Sequence, residues 1–503
     1  MKHFASLLLL LLLPLSIHAY EVMDFAEIDG ICYEICYDSE TYSGEAHAIF
    51  ANPESEYWQS PNPFVDIRAE VNGFPVTKVI GMSGIPQLAE PTYVFIPNTV
   101  REIGDGAFRH CNSIKSVSIS GYYSDYEPTG LIIGNSAFEG CENLEGVSIS
   151  FPVAEIGECA FKDCTKLTGV NFAYDDNTVT TLSRGCFYGC SSLSSAPIPR
   201  SVTTIDDAAF LYCTGMTYAS IPDQVTTIGK FAFGQCEKLK SLYLKDNLTT
   251  IEDGAFVFCG ELPSVTLPNS VTTLGNMAFA GCRKLTTARL STSLTSIPSR
   301  AFAGCYALTG INIPNSVRYI GERAFEGCDF MGAASYDIYD PHLGIMEEGV
   351  YQDNGSMTNV TIGASVDTID IYAFVGHPLQ SVTVMAPVPP VLKVGTAVSN
   401  TTVFDTNNFG TTILYVPQVM VNRYRTAHEW ELFTHIEGIQ VKGNGDSNGN
   451  GQVDISDVST LIDELLESGS TATFNAINAD INGDGEITIA DVSALIDKLL
   501  EAQ

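Results

Sequence analysis

Apolar residues fall in a short cycle through the middle of the chain. In Leu239-x-x-Leu242-x-Leu244 they share one side of an extended segment, which predicts a short strand. The same spacing starts at Leu144, Leu167, Leu262, Leu285 and Leu308. A turn follows, often Ile-Pro-Asn-Ser as at Ile313 to Ser316. Val225-Thr-Thr-Ile then predicts a second extended piece, and Gly-x-x-Ala-Phe turns the chain back. The anchoring Phe falls at 108, 138, 161, 187, 210, 233, 256, 279, 302, 325 and 374, with steps of 23 residues from Phe187 to Phe325. Insertions enter at Gly121 to Gly130 and at roughly Asp329 to Met357.

One such unit cannot bury its own apolar face, whereas stacked units share a continuous core. With strands about 4.8 Å apart, eleven units predict a curved rod of roughly 50 Å. The period fits a leucine-rich repeat, for which about 20–29 residues per unit is expected.

The chain holds 14 Cys. Ten stand three residues after the repeat Phe: Cys111, Cys141, Cys164, Cys190, Cys213, Cys236, Cys259, Cys282, Cys305 and Cys328. The eleventh unit has His377 there. Equivalent side chains in stacked rungs run parallel at about 4.8 Å, while a disulfide wants converging Cβ atoms about 3.8 Å apart. These ten therefore predict a buried, reduced thiol ladder, each a small apolar filler with a weak donor. Their regular spacing is unlike a metal site, which gathers four ligands. Cys32, Cys36, Cys159 and Cys186 stand outside the ladder, and their pairing stays open.

The Val-Thr-x-Ile-Gly-x-x-Ala-Phe-x-x-Cys-x-x-Leu unit resembles the BspA-like leucine-rich repeat of bacterial surface proteins, over about Phe95 to Met385. Asp29-Gly-Ile-Cys-Tyr-Glu resembles the N-terminal strands that precede such arrays. Ala386-Pro-Val-Pro-Pro, Leu414-Tyr-Val-Pro417, Tyr424, Trp430, Phe433 and Ile436 resemble their C-terminal cap. An array end exposes unpaired edge and core and needs a cover. A helix over Asn422 to Phe433 is expected to lay Tyr424 and Trp430 on the last rung.

After Gly443-Asn-Gly445 two loops read alike: Asp446-Ser-Asn448-Gly-Asn450-Gly451-Gln452-Val-Asp454-Ile-Ser-Asp457 and Asp480-Ile-Asn482-Gly-Asp484-Gly485-Glu486-Ile-Thr488-Ile-Ala-Asp491. Positions 1, 3 and 5 aim oxygens at one point, and Gly at 6 permits a sharp turn. Position 7, Gln452 or Glu486, offers its carbonyl. Position 9, Asp454 or Thr488, acts through a water, and the acid at 12 closes the shell. Two Ca²⁺ ions are expected. Position 12 is Asp rather than Glu, with a shorter reach than in a helix–loop–helix EF-hand. Each loop leads into a helix with one apolar face: Val458, Leu461, Ile462, Leu465 and Leu466, then Val492, Leu495, Ile496, Leu499 and Leu500.

The pair, offset by 34 residues, resembles a type I dockerin. The resemblance implies docking onto a cohesin-like scaffold protein through loop positions 10 and 11. Here these are Ile455-Ser456 and Ile489-Ala490, where well-known members often carry Ser-Thr. No particular cohesin type is therefore implied.

Phe4 to Leu15 is too short an apolar run to span a membrane, and with Lys2 before it and Ala19 after it reads as a secretory signal peptide. No later segment is long and apolar enough to anchor the mature chain, so an extracellular place, with or without attachment to a surface, is expected. The net charge of −34 argues against nucleic acid and against an anionic membrane surface. The sequence lacks a P-loop and a G-x-G-x-x-G after a strand, and His428-Glu-Trp-Glu-Leu fails H-E-x-x-H. The aromatics Tyr122, Tyr123, Tyr126, Tyr336 and Tyr339 cluster in the insertions, as a ligand-binding rim or as ordinary loop residues.

The expected fold is a leucine-rich repeat β-solenoid of short parallel strands with an irregular convex side, followed by a small all-α calcium-binding dockerin domain. The expected limits are 1–19 signal peptide, 20–94 N-terminal β cap, 95–385 repeat array, 386–440 C-terminal cap, 441–445 linker and 446–503 dockerin-like domain. The expected function is non-catalytic binding or adhesion. BspA-like resemblance implies a host, matrix or cell-surface protein or glycan as the array's ligand. The alternative is an accessory component of a polysaccharide-degrading complex, with a hydrolase the least supported.

Overall fold

A computed structural model describes residues 21–38, 43–51, 55, 64–81, 92–121, 130–172, 178–327, 355–393, 402–450, 452–466 and 474–501. The apolar leader, Cys328 and the five insertion tyrosines lie outside them. The chain divides into two compact units, Met1–Val179 and Thr180–Gln503.

In the first unit, β1 (Glu21–Ile28), β2 (Ile31–Asp38) and β3 (Ser43–Ala51) form an antiparallel meander. After β4 (Phe64–Asp66) and β5 (Glu70–Val71), β6 (Phe74–Val79) pairs parallel to β3. From there the repeats extend two parallel sheets, one through Glu102–Ile103, Leu131–Ile133 and Val153–Ile156, the other through Thr92–Ile96, Ile114–Ile119, Gly146–Ile149 and Gly169–Phe172. The resembled N-terminal strands are thus real strands, and they hand their hydrogen bonds directly to the repeat.

The second unit continues the same plan. Thr181–Leu182, Thr204–Ile205, Thr227–Ile228, Thr250–Ile251 and Thr273–Leu274 pair in parallel, each Thr opposite Thr. The L-x-x-L-x-L segments give the other strands, Ser241–Tyr243 among them. The observed class is the expected solenoid.

The turn between the two strands carries the core. Phe187, Phe210, Phe233, Phe256, Phe279, Phe302, Phe325 and Phe374 stack ring on ring with centroids 5.0–5.5 Å apart. Full burial of such a side chain is worth about 1.5–3 kcal/mol. Two residues flanking each Phe from Phe187 to Phe302 are left-handed, for example Ala208 (φ 54°) before Phe210 and Tyr212 (φ 62°) after it. A side chain there is disfavoured by roughly 1–2 kcal/mol. Hydrogen bonds to the next rung hold the turn regardless: Ala208, Phe210 and Tyr212 donate their N–H groups to Lys230, Ala232 and Gly234 at 2.7, 2.7 and 3.0 Å.

None of the thirteen described cysteines forms a disulfide. Cys111, Cys141, Cys164, Cys190, Cys213, Cys236, Cys259, Cys282 and Cys305 are buried, as the ladder requires. Cys141, Cys164, Cys213, Cys236, Cys259, Cys282 and Cys305 donate to the carbonyl of the previous repeat Phe, as Cys236 does to Phe210 (3.4 Å) and Cys259 to Phe233 (3.3 Å), whereas Cys111 turns to Arg109 O (3.9 Å). Burial pushes the Cys236 and Cys259 thiols well above their ordinary range. His377 fills the thiol position of its rung, and its Nε2 bonds the Phe325 carbonyl. Cys32 and Cys36 share strand β2 four residues apart, so they cannot bridge each other.

The cap differs from expectation in one respect. The single helix expected over Asn422 to Phe433 is broken into a helix at Val421–Thr426 and a 3-10 turn at Trp430–Leu432. Ala427 is extended and Glu429 takes φ 64°, which swings Trp430 inward. Trp430 Nε1 donates to the Pro390 carbonyl at 2.8 Å, and Tyr424 Oη to that of Ala386 at 3.1 Å. His428 sits in the break, exposed, rather than on a helix surface. Phe404 adds an unforeseen ring to the stack, 5.5 Å from Phe374. Phe409, Trp430 and Phe433 meet Phe404 edge-on and end the stack. Strands Ile413–Pro417 and His435–Ile439 extend the sheet beyond Ser381–Val384. Among the described residues no helix is long and apolar enough to cross a membrane.

Candidate calcium-binding loops

The last segment folds around Val458, Leu461, Ala479, Ile481, Val492 and Leu495. These come from two helices, Ile455–Leu465 and Ile489–Glu501, and from Ala479 and Ile481 at the start of the second loop. Only part of each predicted apolar face is buried. Ile462, Leu466, Ile496 and Leu500 are exposed, Leu466 and Leu500 at 70% and 64%. A two-helix core closes with one row from each helix, and the second row has nothing left to cover it.

Each helix is started by its loop. Asp454 caps the first, its side chain accepting from Ser456 N at 2.7 Å, and Asp457 completes a capping box by accepting from Asp454 N at 2.9 Å. In the second loop Thr488 Oγ1 accepts from Ala490 N at 3.2 Å and Asp491 accepts from Thr488 N at 2.9 Å. The position-9 side chains expected to act through a water are therefore engaged in capping.

The same bonds recur in both loops. The position-1 acid accepts from the position-5 N–H, Asp446 from Asn450 at 3.0 Å and Asp480 from Asp484 at 3.1 Å. The position-12 acid accepts from the position-3 N–H, Asp457 from Asn448 at 3.1 Å and Asp491 from Asn482 at 3.3 Å. Gly485, at φ 84°, donates to Asp480 at 2.9 Å from a conformation that other residues resist. Carboxylate oxygens of Asp480, Asp484 and Asp491 lie within 4.8 Å of one another. Asp446 and Asp480 are buried, and Asp457 and Asp491 are wholly so. Burial first, then the charges of Asp491 and Asp484, push the Asp480 carboxyl above its usual range.

Backbone N–H groups alone do not balance so many buried negative charges, whereas a hard divalent cation with oxygen ligands does. The donor set fits calcium: carboxylates, amide oxygens at Asn448, Asn450 and Asn482, and the carbonyls of Gln452 and Glu486. Ser456 and Ala490 are exposed on the first turn of their helices, beside Ile455 and Ile489, each 71% exposed.

The sequence missed a short helix, Ala476–Ala479, just before the second loop. Asn475 caps it, accepting from Asn478 N at 3.2 Å and donating its own N–H to Ser447 O. Asn478 Nδ2 donates to Asp446 O at 3.2 Å, so this turn braces one loop against the other. Asn475 three residues ahead of Asn478 was the only signal, in a segment too short for periodicity.

A BspA type Leucine rich repeat region, in 6 copies, matches residues 87–217, 131–259, 203–332 and 289–392, together more than half of the 503. The chain belongs to the BspA-type leucine-rich repeat family. A Dockerin type I domain matches residues 444–500 of this BspA-type protein, and such domains bind calcium. No curated protein matches the chain. Among solved structures, a leucine rich cell surface protein from Faecalibacterium prausnitzii is 26% identical, covers 70% of this chain and 91% of its own, with a TM-score of 0.39. A leucine-rich repeat protein from Bacteroides ovatus is 24% identical over 72% and 94%, with a TM-score of 0.41. The pneumococcal vaccine antigen PcpA is 17% identical over 84% and 100%, with a TM-score of 0.44.

Proposed function

We propose that this is an exported, non-catalytic binding protein: residues 95–385 present a surface to a protein or glycan ligand, and the module from 446 attaches it, when calcium is bound, to a cohesin-bearing scaffold or cell surface. Asp446, Asn448, Asn450, Gln452 and Asp457 hold one ion, and Asp480, Asn482, Asp484, Glu486 and Asp491 the other. Asp454 and Thr488 serve chiefly to cap the helices. The apolar leader from Phe4 to Leu15 supports export. The observation that carries the reading is the repeated hydrogen-bond pattern around two groups of buried acids.

The docking face combines Ile455, Ser456, Ile462 and Leu466 with their counterparts Ile489, Ala490, Ile496 and Leu500. Its exposed apolar side chains suit a partner that buries them. The test is capture of the full chain on immobilised cohesins in calcium and in EDTA. Capture in calcium alone, lost in Asp480→Ala and Asp491→Ala, is expected. Equal capture in both buffers, or none on any cohesin, overturns the attachment.

The accessory role in a polysaccharide-degrading complex has one observation in its favour. Tyr218 and Tyr243 stand 44% and 53% exposed on neighbouring strands, ring centroids 5.5 Å apart and planes tilted by 45°, as aromatic surface that a sugar can contact. Retention of the chain on insoluble polysaccharide, lost in Tyr218→Ala/Tyr243→Ala, separates this reading from a protein ligand.

A further inference from the structure

Strands β2 and β3 carry a second group of ligating side chains, in the other compact unit. Side chains alternate across a strand. Tyr33 and Ile35 turn to the buried face with Ala46 and Ala48, so Glu34, Cys36, Glu45 and His47 share the opposite one. The register sets Glu34 across from His47 and Cys36 across from Glu45. Two residues on each of two strands thus form a square of close cross-strand neighbours.

The ligand atoms of Glu34, Cys36 and His47 all lie within 4.8 Å of one another. His47 Nδ1 is 2.9 Å from Glu34 Oε1 and 4.0 Å from Cys36 Sγ. The other ring nitrogen is spoken for: Nε2 is 3.1 Å from Glu45 Oε1, and Thr77 Oγ1 donates to the second Glu45 oxygen at 2.6 Å. A carboxylate that takes the far N–H of an imidazole fixes its tautomer and orientation, as the outer partners of metal-bound histidines do. Here it leaves Nδ1 as the nitrogen that faces a thiol and a carboxylate, and without an ion its N–H donates to Glu34. Cys36 is 4% exposed, while the Glu34 and His47 side chains keep 18% and 15% of their surface, enough for an ion to enter.

We propose that Glu34, Cys36 and His47 bind one Zn²⁺, with Glu45 as the residue that positions the imidazole. A thiolate and an imidazole select a borderline-soft transition metal over the calcium of the C-terminal loops. Binding releases the Cys36 thiol proton and the His47 Nδ1 proton to solvent. Three protein ligands leave the fourth tetrahedral position for water or for a donor from a bound partner.

The full chain, with calcium saturating so that the oxygen-lined loops are filled, is titrated with Co²⁺ as a coloured stand-in. The expected result is one equivalent with a thiolate-to-metal charge-transfer band in the near ultraviolet, erased by Zn²⁺. Cys36→Ser loses the band. Cys32→Ser, altered four residues away on the same strand, keeps it. Glu45→Gln keeps the stoichiometry with affinity 10–100-fold weaker. Should Cys36→Ser fail to fold, judged by its far-ultraviolet spectrum, His47→Gln tests the same loss. A wild-type chain without the band, its imidazole merely held between two glutamates, overturns the proposal. So does a band of equal size in folded Cys36→Ser.

Discussion

In the stack from Phe187 to Phe404, each rung meets the previous one through the same atoms, ring on ring and N–H on carbonyl. In the segment from Asp446 to Glu501, two copies meet once, and each closes a loop on buried carboxylates. The stack comes close to satisfying itself: its buried groups are apolar or hydrogen-bonded, apart from atoms such as Ser316 Oγ and His377 Nδ1, and every added rung brings its own partners. The C-terminal pair gathers like charges that burial alone disfavours. One region is completed by repetition and the other by an ion.

Calcium removal divides the two regions most sharply. In EDTA the helices at Ile455–Leu465 and Ile489–Glu501 are expected to melt, with rapid proteolysis after residue 441, while the array keeps its strand spectrum. At calcium about 1,000-fold above the dissociation constant, linkage alone is worth about 4 kcal/mol. Unchanged helicity in EDTA breaks the contrast. Next is Phe256→Ala in the middle of the stack. A loss of about 3–5 kcal/mol is expected in denaturant titrations of the array, the same with and without calcium. A loss under about 1 kcal/mol would mean that the ring stack is not what holds the rungs.

The smallest effect concerns His377, the one imidazole in the thiol position. Burial is the main cause that holds its pKa below the ordinary value of 6.5, with the hydrogen bond to the Phe325 carbonyl and then the charge of Asp405 in partial opposition. The unfolded chain therefore binds the proton first as pH falls. The contribution to stability is complete above about pH 6.5 and declines below it, by at most about 1.4 kcal/mol per pH unit. His377→Cys restores the thiol and should flatten this slope in thermal melts between pH 7 and 5.

Much of this was legible in the sequence, because a 23-residue period with Ala-Phe-x-x-Cys fixes both what is buried and where the chain turns. Phe404 was hidden because its rung lacks that motif. The break at Glu429 was hidden because Trp430 obeys a bond to Pro390 forty residues away, not local propensity. The loop acids were plain from their spacing. Which apolar helix residues would face out was not, since periodicity says that a face exists and not how much of it a small core can cover. Glu34, Cys36, Glu45 and His47 come together only through strand register, which spacing along the chain does not reveal.

Phe325 and Phe374 stack at 5.4 Å, their planes nearly parallel, although 49 positions separate them in sequence. To the core, the long detour is invisible. A gene built this way can accept foreign stretches between rungs, or gain and shed whole rungs by recombination, without renegotiating its interior. Its outer face is thus free to vary at the pace of whatever it encounters, while the spine stays the same.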